Sequence, residues 1–430
     1  MLLSFSVKNF RSIKDEQEIS MVPANIQDNT EALIFDNDIY EKTLATAVMY
    51  GPNAGGKTSL IKALNAVKKI VTSSLKDKDA LNESIQPFLF DPITPQQPTE
   101  FNVVFISNKI KYEYGFSAIK TQVLSEWLYH YPKGRANRLF IREFNEISES
   151  YEYSYGADYK GDRKGTQNIT DKHSLYLSAS ERTSAVVTTT DVLDWFLKKL
   201  IIIGIDGVPK LVTSSLLDEN ELSKVEVINY LKKSGIELSD IEITSTPFHE
   251  GLLPSDIPET MKKHFIETLR DSTRIETILI HSVGEDNYKL SIDEESSGTV
   301  RLFGYAAPIL DALLNERVII VDELNSNLHP SIVKSILNTF SDGNTNINKS
   351  QLFFTTHDTS ILNQNNLRRD QIWLCDRNTA LATEISSVVE FKIRPLRNYE
   401  NAYLAGKFNA VPIVSKLKPK QKQDKISGNQ

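Results

Sequence analysis

The chain has 430 residues, of which 40% are hydrophobic and 24% charged, and its formal net charge is −7 at pH 7. A chain of this size and composition is typical of a soluble globular protein with material for two or three modules. The negative charge excludes a surface that is basic all over, so any contact with nucleic acid would be a local patch. A single cysteine, Cys375, excludes a disulfide framework and a four-thiolate metal site. Since the sequence shows neither a signal peptide nor a transmembrane stretch, we expect a cytoplasmic protein without membrane contact.

The N-terminal residues 2–10 alternate in the manner of a strand and are followed by Arg11. Two interpretations of Arg11 are open. It is either a solvated turn residue or a side chain that leans over a bound nucleotide.

Residues 51–58 read G-x-x-x-x-G-K-T and lie between an apolar run at 44–49 and a helical pattern that ends near Val71. A glycine-rich turn between strand and helix places backbone N–H groups and the positive end of the helix dipole around phosphate oxygens. Lys57 is expected to reach the terminal phosphates, and the Thr58 hydroxyl is expected to bind Mg²⁺. The stretch therefore predicts a site for a nucleoside triphosphate. Its binding residues are predicted to be Asn53, Gly55, Gly56, Lys57, Thr58 and Ser59.

Residues 72–98 are polar and proline-rich and contain Gln86, and strand-like alternation follows over 101–155. Short alternating segments separated by turn residues predict an antiparallel meander. Four basic residues lie close together along it, namely Lys133, Arg135, Arg138 and Arg142. They form either a solvated face or a patch that contacts DNA phosphates without sequence preference.

From residue 189 to about 271, apolar residues recur at helical spacing in groups that begin at Val192, Val225 and Met261. Leu200 is assigned to the first of these groups. The pattern predicts a helical insertion that leaves a nucleotide domain and returns to it. Because no heptad repeat is sustained, a long coiled-coil arm is not expected.

Two acidic residues, Asp322 and Glu323, follow an apolar run at 318–321 that is typical of a buried strand. Beside a phosphate-binding loop, Asp322 would hold the Mg²⁺ shell and Glu323 would take a proton from the attacking water. His357 ends the next predicted strand, and ligands gather at the carboxyl ends of parallel strands, so His357 is expected beside the γ-phosphate. The alternatives are a strand end with exposed acids and a structural histidine.

The segment 296–299, Ser-Ser-Gly-Thr, opens a strongly apolar helix. Because a helix N-terminus can bind an anion, Ser296 and Gly298 form a second candidate phosphate site. The alternative is a serine-rich helix cap. A last central strand is predicted at 372–375, and the lysine-rich, polar tail at 416–430 is expected to be disordered.

The order of these motifs resembles the ABC-type ATPase heads of the SMC, RecF and OLD-like superfamily. Within that superfamily the sequence resembles the AAA-type ATP-binding proteins of bacterial abortive-infection and anti-phage operons, such as the RloA, AbiL and AriA groups. The resemblance is carried by residues 9–12, 50–58, 295–302, 322–330, 355–358 and 403–412.

The resemblance implies an α/β fold, namely an ABC-type P-loop ATPase head with a mixed central sheet, a flanking antiparallel β-meander and a helical insertion. It divides the chain into an N-terminal half of the head at 1–188, the helical insertion at 189–272, a C-terminal half of the head at 273–415 and a disordered tail at 416–430. The cofactors that it implies are ATP and Mg²⁺.

By the same resemblance, Ser296 and Gly298 form a signature loop that caps the ATP of a partner head, and residues 326–329 form the D-loop at the interface. Complete sites would need two copies, which implies a homodimer with ATP between its heads, or a higher oligomer. Gln86 falls near the position of a Q-loop glutamine and is a candidate Mg²⁺ ligand. Asn325 departs from the family pattern, in which aspartate is common, and is expected to weaken interface contacts rather than hydrolysis.

The implied function is an ATP-binding and hydrolysing dimeric switch that senses phage infection and controls an effector from a neighbouring gene, a Toprim or RloB-like nuclease or a toxin. The alternative is a RecF-like or SMC-like ATPase of DNA repair, with DNA as a partner. A transporter ATPase is disfavoured because its signature usually lies far closer in sequence to the phosphate loop than Ser296 lies to Lys57. A self-contained OLD-type nuclease is disfavoured because no convincing Glu…Asp-x-Asp pattern follows His357.

Overall fold

The computed structural model describes residues 1–26, 28, 33–34, 42–247, 273–363, 366–391 and 399–408. The predicted helix group that begins at Met261 and the tail at 416–430 lie outside the described residues. The first elements in chain order are β1 (Leu2–Lys8), β2 (Gln17–Ser20), β3 (Leu33–Ile34), β4 (Thr43–Leu44), β5 (Thr46–Tyr50), α1 (Lys57–Ser73), α2 (Asp79–Ser84), β6 (Thr99–Ser107), β7 (Ile110–Ile119), β8 (Gln122–Tyr131), β9 (Asn137–Asn145) and β10 (Ser150–Tyr155). They are followed by α3 (Arg163–Ile169), α4 (Tyr176–Ser180), α5 (Val186–Asp194), β11 (Leu200–Ile203), α6 (Lys210–Asp218), α7 (Lys224–Lys233) and β12 (Asp240–Pro247). The last elements are β13 (Thr273–Val283), β14 (Asp286–Ser291), α8 (Ser297–Asn315), β15 (Val318–Val321), α9 (Pro330–Ser341), β16 (Gln351–Thr355), β17 (Ile372–Arg377), β18 (Thr383–Ser387) and α10 (Tyr399–Leu404).

A mixed sheet in the order β11-β15-β16-β5-β17-β18 forms the centre of the fold. Its first five strands are parallel, and β18 runs antiparallel to β17. Side chains enter the core on both faces, since Ala47 and Met49 of β5 join one hydrophobic cluster while Val48 and Tyr50 join the other. Strands that are buried on both faces need continuous apolar runs, which explains why β5, β15, β16 and β17 were recognisable in the sequence.

Helix layers cover the two faces of this central sheet. On one face, Leu60, Leu64 and Val67 of α1 recur at helical spacing and share a cluster with Phe101 of β6. On the other face, α8 packs through residues such as Phe303. Each fully buried side chain of this size contributes about 1.5–3 kcal/mol to folding. The predicted helix after the phosphate loop is confirmed and ends at Ser73.

An antiparallel sheet in the order β10-β9-β8-β7-β6-β1-β2 packs on the far side of α1. It confirms the predicted meander and adds the two N-terminal strands β1 and β2 to it. The central sheet, the meander and the helices between them confirm the predicted α/β architecture of an ABC-type ATPase head.

Arg142 of β9 is fully buried in this meander, with an exposed side-chain fraction of 0%. Its Nη1 donates to the carbonyl of Ser174 at 2.7 Å, its Nη2 donates to the carbonyl of Asp171 at 2.8 Å, and the Glu126 carboxylate lies 3.7 Å away. The prediction that Arg142 could join a DNA-contacting patch is therefore wrong, because its guanidinium is committed to internal partners. The other three basic residues, Lys133, Arg135 and Arg138, are exposed.

The segment 189–272, predicted to be helical, contains two strands in its described part. Strand β11 pairs with β15 and so belongs to the central sheet, and the assignment of Leu200 to a helix face is wrong. Four consecutive apolar residues suit a doubly buried parallel strand. Strand β12 pairs with β13, which in turn pairs with β14. Helices α5, α6 and α7 accompany these strands, and the domain boundaries at 188 and 272 stay predictions.

Within the described ranges, no helix is both long enough and apolar enough to cross a membrane.

Candidate active site

The loop between β5 and α1 owes its shape to glycines at two close contacts. Gly56 has a φ of 121°, and a Cβ there would lie 2.0 Å from the Thr383 hydroxyl. A Cβ on Gly51 would lie 2.1 Å from the carbonyl oxygen of Cys375. Both distances are far below van der Waals contact, so the local sequence must keep glycine where β17 and β18 press against the loop.

Two segments that are remote in sequence hold this loop. The Thr383 hydroxyl of β18 donates to the carbonyl of Gly55 at 2.9 Å, and its oxygen lies 2.8 Å from Ser12 Oγ. Ser12 Oγ in turn lies 2.8 Å from Ser59 Oγ in the first turn of α1. The loop is therefore fixed by the N-terminal segment on one side and by β18 on the other.

Lys57 begins α1 and is buried against its own loop. Its Nζ donates to the carbonyls of Gly51 at 2.8 Å and Pro52 at 3.2 Å. Burial lowers the pKa of Lys57, and the nearby Cys375, Glu323 and Asp322 oppose that shift. A desolvated ammonium group interacts strongly with anions, as a phosphate-binding lysine requires.

Glu323 follows β15 in a left-handed backbone conformation, with a φ of 52°. The conformation is held by Thr355 at the end of β16, whose hydroxyl oxygen accepts from the Glu323 N–H at 2.7 Å. The same hydroxyl donates to Asp322 Oδ1 at 2.7 Å, and both Thr355 and Asp322 are buried. One threonine thus fixes the backbone of Glu323 and the carboxylate of Asp322 together.

His357 lies two residues beyond β16, with its Nε2 3.6 Å from Glu323 Oε1. Burial and the charge of Lys57 lower the pKa of His357 below its ordinary value of 6.5, against the opposing effect of Glu323. The imidazole is therefore neutral at pH 7 and can donate one hydrogen bond and accept another.

These side chains meet in one cavity of about 330 Å³. It is lined by the loop residues 52–59, including all six predicted nucleotide-binding residues, and by Glu323, His357 and Arg377. Asp322 does not line the cavity itself, but it directly precedes Glu323 in the chain and accepts a hydrogen bond from Thr355. Helix dipole, backbone N–H groups and the Lys57 ammonium all favour a polyphosphate here.

Comparison with protein-family models identifies the domain. The model described as "AAA domain, putative AbiEii toxin, Type IV TA system" matches residues 47–189 and 200–363, more than half of the chain. The chain belongs to this AAA family. Membership supports ATPase activity in general, and it implies nucleotide binding, typically with Mg²⁺. No protein of curated function is matched.

Solved structures similar to this AAA protein include an SMC head domain from Thermotoga maritima, with 11% identity, a TM-score of 0.39 and coverage of 90% of this chain and 98% of that one. An Smc head domain of Pyrococcus furiosus, bound to the C-terminal domain of ScpA, has 11% identity, a TM-score of 0.40 and coverage of 95% and 99%. The recombination mediator protein RecF has 14% identity, a TM-score of 0.34 and coverage of 86% and 97%.

In this AAA protein the predicted signature residues lie outside the cavity. Ser296 is exposed and caps α8, its Oγ accepting from the Thr299 N–H at 3.1 Å. A Cβ on Gly298 would lie 3.1 Å from the carbonyl oxygen of Asn327, so the signature loop touches the predicted D-loop. Arg301 of the same helix donates to the carbonyl of Glu323 at 3.5 Å. The helix that follows the signature loop therefore contacts the backbone carbonyl of Glu323 through Arg301. The signature residues themselves do not line the cavity.

Asn325, the departure from the family pattern, joins the D-loop to the strand that carries His357. Its Oδ1 accepts from the Thr356 hydroxyl at 2.9 Å and from the His357 N–H at 3.4 Å. An amide oxygen serves for both contacts, so the substitution keeps an internal hydrogen-bond acceptor at this position.

Arg11 and Gln86 lie together and contact each other. Arg11 Nη1 donates to Gln86 Oε1 at 2.7 Å, and the Arg11 N–H donates to the Gln86 carbonyl at 2.6 Å. Neither residue is among those that line the cavity, and their roles at the nucleotide stay predictions.

The donors that remain near the loop suit Mg²⁺. Thr58 lines the cavity, and the buried Asp322 directly precedes Glu323, which also lines it. Mg²⁺ prefers a few protein oxygens completed by water and phosphate. Among the described residues no group of three His, Cys, Asp or Glu side chains forms a cage for a metal ion. A magnesium ion held here would therefore depend on the nucleotide for its other ligands.

Sequence reasoning missed Arg377, which lines the cavity at the end of β17. Nothing in its local sequence forms a motif. A usable signal was its position at the carboxyl end of the strand that neighbours the phosphate-loop strand.

Proposed function

We propose that this AAA protein binds ATP with Mg²⁺ and hydrolyses it, with Glu323 as the general base. The observation that supports this proposal is the single cavity that Lys57, Thr58, Glu323 and His357 share. Lys57 and the loop N–H groups would hold the phosphates, and Glu323 would accept the proton of the attacking water. His357, neutral and 3.6 Å from Glu323, would hydrogen-bond the γ-phosphate and respond to its loss.

A magnesium ion, when bound, would supply positive charge that offsets the negative charge of the phosphates. Thr58 and Asp322 are the residues that would hold it. Thr355 would keep the Asp322 carboxylate turned toward it, because the threonine hydroxyl already donates to Asp322 Oδ1.

We further propose that two copies close over ATP. The supporting observation is that Ser296, a helix cap exposed on the surface, lies outside its own chain's cavity. A helix N-terminus presented by a second copy could complete the phosphate site across a two-fold axis. Gly298 contacts Asn327, and Arg301 hydrogen-bonds the carbonyl of Glu323. Through these contacts, binding of the second copy would change the position of the general base.

As a biological role we propose a switch that senses phage infection and controls a partner effector, a nuclease or toxin, as in the RloA, AbiL or AriA groups. The family description, which names a putative toxin of a type IV toxin–antitoxin system, supports a role of this kind. The alternative of a DNA-binding ATPase loses one of its candidate contacts, because Arg142 is buried. Phage plating on cells that carry the gene with its neighbour, with and without Glu323→Gln, tests the role.

The shared site is tested with two inactive variants. Lys57→Ala disables a phosphate loop, and Ser296→Arg puts bulk and charge into the proposed contact while sparing the chain's own loop. In an equal mixture with free exchange, half of the dimers are mixed and half of their sites are intact, so about one quarter of the wild-type ATPase rate should return.

The matched control for Ser296→Arg is Ser223→Arg, which removes the N-cap of α7 and should leave the ATPase rate unchanged. ATPase rates across mixing ratios and light scattering with and without ATP provide the readout. If Ser296→Arg hydrolyses ATP at the wild-type rate as a monomer, the shared site is refuted while ATP hydrolysis itself stands. If the wild type neither binds nor hydrolyses ATP, the whole proposal fails.

A further inference from the structure

Arg377 is a charged residue of the cavity that the proposed mechanism does not use. It lines the same space as Lys57, Glu323 and His357. Its Nε is buried and has no hydrogen-bond acceptor among the described residues. A buried N–H group without an acceptor is unfavourable, and an anionic ligand in this cavity would supply one.

The order of strands in the central sheet determines which part of a nucleotide Arg377 can reach. Strands β15 and β16, which lead to Glu323 and His357, lie on one side of β5, whereas β17 lies on the other side. Neighbouring strands are about 4.8 Å apart, so the axes of β15 and β17 are separated laterally by roughly 14 Å. Because the general base must stand at the γ-phosphate, Arg377 faces the end of the polyphosphate nearer to the nucleoside.

The backbone of Arg377 is fixed relative to the phosphate loop. Arg377 pairs with Thr383 across the β17–β18 ladder, and the Thr383 hydroxyl donates to the Gly55 carbonyl at 2.9 Å. Two residues earlier, the carbonyl of Cys375 packs so tightly on Gly51 that no side chain could fit there. The point from which the Arg377 side chain extends is therefore fixed beside the phosphate loop.

We propose that Arg377 binds the α- and β-phosphate oxygens of the nucleotide from the side opposite to Glu323. The guanidinium can donate to two phosphate oxygens at once, which a lysine ammonium cannot do with the same geometry. This inference rests on the proposed nucleotide site. It assigns Arg377 to recognition of the diphosphate that ATP and ADP share, so the residue retains ADP as well as ATP.

The experiment measures affinities for ADP and for a non-hydrolysable ATP analogue, by titration calorimetry with Mg²⁺, in the wild type and four variants. Arg377→Ala should weaken both nucleotides by a similar factor of about 10 to 100, the usual range for a lost hydrogen bond to a charged group. Arg377→Lys should recover part of the lost affinity, because lysine restores the positive charge but cannot donate two parallel hydrogen bonds. His357→Ala should weaken the ATP analogue alone, and the exposed Arg135→Ala should match the wild type.

Several outcomes overturn the proposal. If Arg377→Ala and Arg377→Lys bind both nucleotides as the wild type does, Arg377 makes no phosphate contact. If only the ATP analogue is weakened, Arg377 acts at the γ-phosphate and the assigned side is wrong. Thermal unfolding of each variant identifies a folding defect. If Arg377→Ala does not fold, the ADP affinity of the folded Arg377→Lys protein tests the proposal instead. Wild-type protein that binds neither nucleotide would instead refute the proposed function.

Discussion

Thr355→Val replaces the hydroxyl that joins Asp322 and Glu323 by a methyl group of nearly the same size. The change removes the donor to Asp322 Oδ1 and the acceptor of the Glu323 N–H, both at 2.7 Å. Losing a buried partner costs about 1–3 kcal/mol for each group left unsatisfied, and the added methyl group returns about 0.8 kcal/mol. The free energy of unfolding should therefore fall by about 1–5 kcal/mol.

The same substitution should slow catalysis. Glu323 holds a φ of 52°, which a side-chain-bearing residue adopts only when its surroundings enforce it. Without the Thr355 oxygen the backbone of Glu323 can relax and shift its carboxylate. A displacement of about 1 Å at a reacting group costs on the order of 10²-fold in rate, so we expect kcat to fall by about that factor.

The assay pairs steady-state ATP hydrolysis with urea unfolding. Thr355→Ser keeps the hydroxyl and should lose only about 1 kcal/mol of stability, with kcat near the wild-type value. Thr213→Val is the matched control, because its buried hydroxyl also donates, to Phe303 at 2.8 Å, and accepts, from Ala307 at 3.3 Å, in the packing of α6 on α8. It should be destabilised without a change in kcat. If Thr355→Val and Thr355→Ser unfold and hydrolyse ATP alike, the hydroxyl does not position Glu323.

Glu323→Gln should lower kcat by on the order of 10²–10⁴ while ATP affinity stays the same, and unchanged turnover in the purified protein would remove Glu323 as the base. Because the pKa of His357 lies below 6.5 in the folded chain, the unfolded chain binds more protons below that pH, and stability falls as pH falls. His357→Gln should flatten this part of the stability profile between pH 7 and pH 5, and an identical profile would contradict the lowered pKa. Arg142→Met, which leaves Glu126 buried without its cation, should cost about 3–5 kcal/mol, whereas the exposed Arg138→Met should change stability by less than about 0.5 kcal/mol. Equal unfolding midpoints for these two arginine variants would argue against the buried pair.

The parts of the site that the sequence predicted are those whose chemistry is local. Lys57 lies in a loop whose spacing alone indicates its role, and Glu323 and His357 each follow an apolar run that is typical of a buried strand. Parallel strands bring such ends together, so their meeting in one cavity followed from periodicity and a single topological rule.

What the sequence could not predict depends on partners far along the chain. Leu200 begins an apolar run too short to distinguish strand from helix, and only its pairing with β15 decides. Arg142 looks like a surface charge until Glu126 and the carbonyls of Ser174 and Asp171 surround it. Arg377 gains its place from the order of strands, which no local pattern records.

The phosphate loop is held by Ser12 on one side and by Thr383 on the other, which has a consequence for the order of events during translation. Ser12 leaves the ribosome before the loop, whereas Thr383 follows the loop by more than three hundred residues. The loop therefore remains held on one side alone until β18 has been synthesised and has folded onto it. A nascent or truncated chain that ends before β18 carries the entire G-x-x-x-x-G-K-T motif but lacks the contact that shapes it. The proposed nucleotide site is therefore fully assembled only after β18 has been synthesised, although its sequence motif lies near the beginning of the chain.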